Sequence, residues 1–368
     1  MKLSIARSEL LEAMNVASKG MSSRSTLPIL SGVLLESSGG FLTLQSTDLE
    51  VSVRHKVAAL TEVDGQVVIP GKLLSDIVRN LPEAAVMLEK EGDVVSVRCQ
   101  HASFTVKTHN AADFPKFPEV AQGQTVSIPS SLLSAMVKKV SRAVSRDETR
   151  AILTGILIEI DGPEIKMVAT DSYRLAVAES MVDAGVGVDQ LSVVAPARAL
   201  EEVTRLAPQD KEITIGVSEN QLVFSFGDTT FVTRRIEGTF PNYKQLIPKD
   251  TETSIQVVTE ELQAATKRVS LLAMHNTPLR VAVKVEDQTI SLSATTQDVG
   301  DASEDIMVKA EGKDVEIAFN HAFLVDGLSV IADETVLLEI QSSLKPGLLK
   351  SGTDEEKFLY LLMPVRLG

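Results

Sequence analysis

The sequence predicts an α+β protein of three similar domains, each with two helices and two small antiparallel sheets. Three observations carry this. First, eight residues occur twice. Ile29-Leu30-Ser31-Gly32-Val33-Leu34-Leu35-Glu36 returns as Ile152-Leu153-Thr154-Gly155-Ile156-Leu157-Ile158-Glu159, with five residues identical, at an offset of 123. Second, other echoes keep the same order. Ser130 to Met136 repeats Ser8 to Met14 at 122, Thr170-Asp171 repeats Thr47-Asp48 at 123, and Pro196 to Pro208 repeats Pro70 to Pro82 at 126. Third, the 368 residues hold almost three such periods, and runs of alternating strands separate isolated helices, unlike the strand–helix alternation of a parallel sheet.

Taken in order, Lys2 to Ile5 reads as a strand, and Ser8 caps a helix to about Ser18 with Leu10, Leu11 and Met14 inward. The first octapeptide reads as a strand, followed by alternating strands over Phe41–Gln45 and Glu50–Val57 and a strand over Val67–Ile69. Pro70 opens a second helix that ends by Pro82, and three short strands follow before the linker Asp113-Phe114-Pro115-Lys116-Phe117-Pro118. The second domain repeats this plan, with its first helix expected from Ser130 to Arg146. The third is fainter: Glu260-Glu261-Leu262 starts a helix, Arg280 to Glu286 replaces the octapeptide, Asn320 to Ile331 replaces the Pro70 helix, and Phe358 to Met363 is a last apolar strand. The expected domains are 1–120, 126–250 and 253–368.

The formal net charge of −14 argues against nucleic acid only if charge is spread evenly. Cys99 is the only cysteine, which excludes an intrachain disulfide and fits a reducing compartment. Without a signal-like start or an apolar run of membrane length, a cytoplasmic location is expected. Catalytic constellations are missing. Gly185 to Gln190 lacks the third glycine of a dinucleotide loop, Gly65 to Lys72 has the wrong spacing for a phosphate loop, and the five histidines have no metal-ligand spacing. No cofactor, metal or reaction is implied. Glu201-Glu202 and Glu260-Glu261 read as solvated helix faces, and Cys99 as a small buried group.

Positive charge collects on the helices. Ser130 to Arg146 carries Lys138, Lys139, Arg142 and Arg146 and no acid. Lys138, Arg142 and Arg146 at i, i+4 and i+8 share a helical face opposite Leu133, Met136 and Val137. Lys72 and Arg79 recur as Arg198 and Arg205, and Lys267-Arg268 sits on the third domain's first helix. Acids collect elsewhere, as in Asp298 to Asp305 and Asp354-Glu355-Glu356. Such helices predict sequence-independent, salt-sensitive phosphate contact, because charges beyond about 10 Å are screened. The competing reading is a peptide-binding scaffold with no DNA role; an enzyme with an unrecognised site rests on no motif.

Five stretches resemble the bacterial sliding clamp family, the beta subunit of DNA polymerase III. They are Thr26-Leu27-Pro28-Ile29-Leu30, Asp113-Phe114-Pro115, Ala169 to Ala176, Phe240-Pro241-Asn242-Tyr243 and Met363-Pro364-Val365-Arg366-Leu367. The resemblance implies a non-enzymatic, head-to-tail homodimer closed as a ring around duplex DNA. It would tether polymerases, clamp loader and repair proteins through short peptides. A partner-peptide groove is implied at Leu153, Thr170, Ser172, Tyr173, Arg174, Leu175, Pro241, Leu246, Pro346, Leu361, Leu362, Met363, Pro364, Val365 and Arg366. DNA contacts are implied at Arg24, Lys72, Arg146 and Arg150, joined by Lys138, Lys139, Arg142, Arg198, Arg205, Lys267 and Arg268. Phe104 and Leu271-Leu272 are the expected apolar contributors to the dimer seam. Ser172-Tyr173 and Gln245 depart from residues that some members carry, as does Ala151-Ile152, where some members have an aromatic pair on DNA.

Overall fold

The echoes become strand–helix units. The computed structural model describes residues 1–22, 27–118, 124–182, 190–273, 277–353 and 357–366. The first repeat runs β1 (Lys2–Ala6), α1 (Arg7–Ala17), β2 (Gly32–Ser38), β3 (Phe41–Thr47), β4 (Val51–Ala58), β5 (Leu60–Val63), β6 (Gly65–Pro70), α2 (Gly71–Asn80), β7 (Ala85–Glu91), β8 (Val94–Cys99) and β9 (Ala102–Lys107). The second runs β10 (Gln124–Pro129), α3 (Ser130–Val140), β11 (Gly155–Asp161), β12 (Glu164–Thr170), β13 (Arg174–Met181), β14 (Gln190–Pro196), α4 (Ala197–Leu206), β15 (Glu212–Val217), β16 (Gln221–Phe226) and β17 (Thr229–Arg234). The third runs β18 (Thr253–Val258), α5 (Thr259–Val269), β19 (Leu279–Lys284), β20 (Thr289–Thr296), β21 (Gly300–Met307), β22 (Lys309–Gly312), β23 (Val315–Phe319), α6 (His321–Leu328), β24 (Thr335–Ile340), β25 (Gly347–Ser351) and β26 (Phe358–Leu362). The short strands β5 and β22 are largely exposed, so no apolar alternation announced them.

The small sheets do not stay separate. β17 of the second repeat pairs antiparallel with β4 of the first, placing Phe231 opposite Val53. β26 of the third pairs with β13 of the second, placing Leu361 opposite Leu175. The described strands therefore form sheets of five (β5-β1-β7-β8-β9), eight (β10-β15-β16-β17-β4-β3-β2-β6), nine (β14-β11-β12-β13-β26-β25-β24-β18-β22) and four (β21-β20-β19-β23). Two compact units result, one chiefly Met1–Leu133 with Glu202–Arg235, the other chiefly Ser134–Gly185, Asp189–Glu201 and Ile236–Gly368. In the first unit α1 and α2 bury Leu10, Met14, Leu74 and Val78 against Leu3, Val86, Leu35 and Ile69. Eleven residues are too few for a stable isolated helix, so this burial holds α1.

Three local expectations change. Ser8 does not cap α1, which begins one residue earlier; instead the Glu83 carboxylate accepts the Ser8 N–H at 3.1 Å. Arg7 reciprocates, donating to the carbonyls of Val78 at 3.0 Å and Arg79 at 2.5 Å, the unsatisfied end of α2. α3 stops at Val140, followed by a short 3-10 turn, so Arg142 and Arg146 lie beyond the helix and do not continue the Lys138 face. The octapeptide is a strand only in its second half. Pro28–Ser31 and Glu148–Thr154 are 3-10 turns, and each glycine begins the strand.

Those glycines are steric necessities. A Cβ on Gly155 would lie 2.5 Å from Val194 Cγ1, 2.7 Å from Ile236 Cδ1 and 2.9 Å from the Ala195 carbonyl oxygen. Gly155→Ala is expected to destabilise the second unit by about 1–3 kcal/mol, as overpacking does. Gly216→Ala, whose Cβ would have its nearest neighbour at 3.6 Å, serves as the control. Urea midpoints of the two variants measure the difference.

Candidate nucleic-acid and peptide interfaces

The Thr-Asp echo is a turn. Thr170 Oγ accepts the Ser172 N–H at 3.2 Å and donates to the Arg174 carbonyl at 2.6 Å. One Asp171 carboxylate oxygen accepts the N–H groups of Tyr173 and Arg174 at 2.9 and 3.0 Å. Thr47 and Asp48 make the same bonds around Leu49, Glu50 and Val51. The central residues Leu49 and Ser172 have φ of 79° and 81°. Side-chain bonds to neighbouring backbone make Thr-Asp a good tight-hairpin pair.

Arg174, expected in the groove, lies inside the second unit with its side chain 10% exposed. Its guanidinium donates to Asp171 at 3.0 Å, to Asp326 of α6 at 2.5 Å and to the Tyr360 hydroxyl of β26 at 3.2 Å, and it covers the Phe323 ring at 4.2 Å. Burial raises the Tyr360 pKa well above the ordinary tyrosine value, although Arg174 opposes this. Sequence reasoning missed Asp326, Tyr360 and Phe323, which lie far from Arg174 in sequence and share no motif with it.

The positions expected to form a groove divide by burial. Leu153, Thr170, Leu175, Leu361 and Leu362 are each at most 5% exposed. Leu175 and Leu361 join Val177, Leu348 and Tyr243 in one apolar cluster, which makes them a floor. Tyr173 at 62%, Leu246 at 48% and Met363 at 42% are open, as are Ser172, Pro241 and Arg366. Pro346, Pro364 and Val365 are half-buried. The structure brings Tyr173 and Met363 together directly, through a Met363 N–H to Tyr173 carbonyl bond of 2.9 Å. Pro346 precedes Gly347, which pairs with Leu362. Tyr243, also missed, ties the segment carrying Pro241 and Leu246 to the sheet, donating to Glu159 at 2.7 Å. Burial first, then Glu159, keeps its phenol protonated far above the ordinary range.

The basic residues also divide. Lys72 on α2, Lys138 on α3, Arg198 on α4 and Lys267 on α5 are exposed, as are Arg142 and Arg146, and none of the six makes an ion pair among the described residues. Arg205 pairs with Glu202 at 2.9 Å. Glu202 is no solvated face: it is half-buried and also holds Lys19 at 3.0 Å. Arg268 takes Glu304 of β21 with two nitrogens, the Nε bond at 2.9 Å. Arg150 bonds Asp147 at 2.8 Å and Ser172 at 2.9 Å, so it braces the Thr-Asp turn. Lys139 is half-buried, and Arg24 lies outside the described residues. At the expected seam, Phe104 on β9 is 40% exposed and Leu271 76%, while Leu272 is half-buried and its carbonyl accepts the Thr296 hydroxyl.

Among the described residues no cluster of His, Cys, Asp or Glu could hold a metal, and no helix is long and apolar enough to cross a membrane. Cys99 is buried. Arg174→Met is expected to cost about 3 kcal/mol, because it strands the nearly buried Asp171 carboxylate and leaves the part-exposed Asp326 and the Tyr360 hydroxyl without their donor. Arg174→Lys recovers little, lacking the planar fork. Thermal denaturation of both variants checks this.

Comparison with known proteins agrees with the geometry. Residues 1–118 match the DNA polymerase III beta subunit N-terminal domain, 127–242 the central domain and 244–366 the C-terminal domain. The beta sliding clamp of Streptomyces coelicolor is 33% identical over 378 residues, covering 100% of both chains. That of Bacillus subtilis is 29% identical over 380 residues, again covering both fully. The crystal structure of the Bacillus subtilis sliding clamp has a TM-score of 0.95 at 28% identity, covering 100% of each chain. A Pseudomonas aeruginosa sliding clamp bound to griselimycin has a TM-score of 0.94 at 29% identity with the same coverage. With all three domain types matched in order over almost its whole length, the chain belongs to the DNA polymerase III beta subunit family, the beta sliding clamps.

Proposed function

We propose that the protein encircles duplex DNA as a ring-shaped homodimer, tethers replicative polymerase and repair factors to it, and catalyses no reaction. The observation that carries this is a joint used twice. In each case the last strand of one repeat pairs with the fourth strand of the preceding repeat: β17 on β4, and β26 on β13. The pattern leaves two strand edges over. β9 ends the five-stranded sheet and β21 ends the four-stranded sheet. Pairing β9 of one protomer with β21 of its partner makes the same joint a third time, and twofold symmetry makes it again. Charge agrees: β21 carries Asp301, Glu304 and Asp305, while the β8–β9 hairpin carries Arg98 and Lys107. Phe104 and Leu271-Leu272 add apolar surface at this seam. Each protomer contributes three domains, 1–120, 126–250 and 253–368.

The six unpaired cations line the DNA path, and Arg205 and Arg268 join them by exchanging carboxylate for phosphate. The contact is to backbone and therefore mobile. Tyr173, Pro241, Leu246 and Met363, with the half-buried Pro364 and Val365, form the surface for a partner's apolar peptide, above the floor of Leu175 and Leu361. Met and Leu suit a site that accepts several sequences. The protein acts in the cytoplasm, where chromosome and polymerase are. Tethering works through effective concentration, since rebinding becomes intramolecular.

The protein is expected to stay on nicked circular DNA at a salt concentration that removes ordinary binders and to slip from the same DNA once linearised. Equal retention on both templates sinks the topological reading. Phe104→Ser with Leu271→Ser is expected to give a monomer by light scattering and to abolish retention on the circle. Lys138→Glu with Arg142→Glu is expected to lower loading while leaving the dimer intact; unchanged loading favours the scaffold without a DNA role.

Removing Met363 to Gly368 is expected to weaken polymerase binding at least tenfold and to spare dimerisation, measured by surface plasmon resonance and light scattering. Full polymerase affinity in the truncated chain refutes the groove.

A further inference from the structure

A second cleft, of about 430 Å³, opens in the second unit beside the groove floor. Val177, Leu359, Tyr243 and Ile247 give it an apolar base. Val177 and Leu359 are the cross-strand pair two positions along from Leu175 and Leu361 on the same sheet face. Two residues of strand span about 6.6 Å, so the cleft starts one side-chain step from the floor of the groove.

The rim differs from the groove. Lys166, Lys244, Lys350 and Lys357 line it, with Glu179 as the single carboxylate among the described lining residues, on a chain of net charge −14. Lys166 is paired with Glu179 at 3.2 Å and Lys350 with Glu339 at 2.6 Å. Lys244 and Lys357 make no ion pair among the described residues. Ser351 and Thr353 add hydroxyl groups.

We infer that this cleft receives acidic residues flanking the apolar segment of a partner peptide held in the groove. The inference rests on the groove reading and adds a charge preference to it. The apolar base takes the aliphatic stems of Glu or Asp, and the two unpaired lysines meet their carboxylates. A basic flank would meet like charge, and a neutral flank would leave both ammonium groups unused. Phosphate from nucleic acid fits worse, since it offers nothing to Val177 or Leu359.

Two labelled peptides test this on the full-length dimer by fluorescence anisotropy at low salt. They share one apolar segment taken from the replicative polymerase of the same organism. They differ only in their flanks, Asp/Glu in one and Ser/Gly in the other. The acidic peptide is expected to bind about five- to tenfold tighter, the equivalent of two exposed ion pairs. Lys244→Ala with Lys357→Ala is expected to bring it to parity without changing the neutral peptide. Equal affinities of the two peptides for the native chain overturn the inference, as does a preference that survives loss of both lysines. If the neutral peptide fails to bind the native chain at all, the groove reading falls instead.

Discussion

An antiparallel sheet cannot end without leaving backbone N–H and C=O groups unpaired, and the architecture follows from where those edges go. Each repeat makes two short sheets with free edges. Inside the chain the edges meet twice, through Phe231 opposite Val53 and Leu361 opposite Leu175. Each joint adds a ladder of hydrogen bonds and a pair of apolar side chains, and no loop is needed to hold the repeats together. β9 and β21 remain at sheet ends. An edge bearing Phe104 invites pairing with another chain. An edge bearing Asp301, Glu304 and Asp305 discourages pairing with anything but a basic counterpart.

Arg174 shows how one of these joints is fixed in register. It stands at the first position of β13, opposite Leu362, and its guanidinium reaches both α6 and Tyr360 of β26. A slip of one residue would turn Leu175 and Leu361 away from their cluster and separate Arg174 from both carboxylates. The Thr-Asp turn immediately before it sets where β13 begins. Turn, joint and the apolar cluster of Leu175 and Leu361 are thus one construction, and the exposed Tyr173 is presented by it.

Repetition made much of this legible from sequence. The octapeptide, the Thr-Asp pair and the Pro70-type helix each repeat because each encodes a local event: a close approach at glycine, a self-capped turn, a helix start. Elements with strong apolar alternation came out at nearly the right residues. The helix end at Val140 did not, because the basic run to Arg146 keeps helical spacing after the backbone has left the helix. Partners remote in sequence were invisible. Nothing in Arg174 announces Asp326, and nothing in Glu83 announces Ser8. The fusion of small sheets was likewise hidden, since an edge strand and a joined strand read the same when both alternate.

Net charge misleads here for a physical reason. The deficit of 14 charges is a sum over a surface much wider than a Debye length, whereas a phosphate feels only what lies within about 10 Å. Lys72, Lys138, Arg198 and Lys267 each sit on a helix, without a paired carboxylate among the described residues. Arg205 and Arg268 are paired, but each guanidinium is largely exposed although its carboxylate is half-buried, so a phosphate can take it over at a cost of about 1 kcal/mol. Exposed cations of this kind would attract a phosphate backbone without fixing a register on it. Strong, geometrically exact contacts would hold the duplex better and would stop it moving, so a ring that keeps its DNA by enclosure is better served by a few cations that can be exchanged from one phosphate to the next.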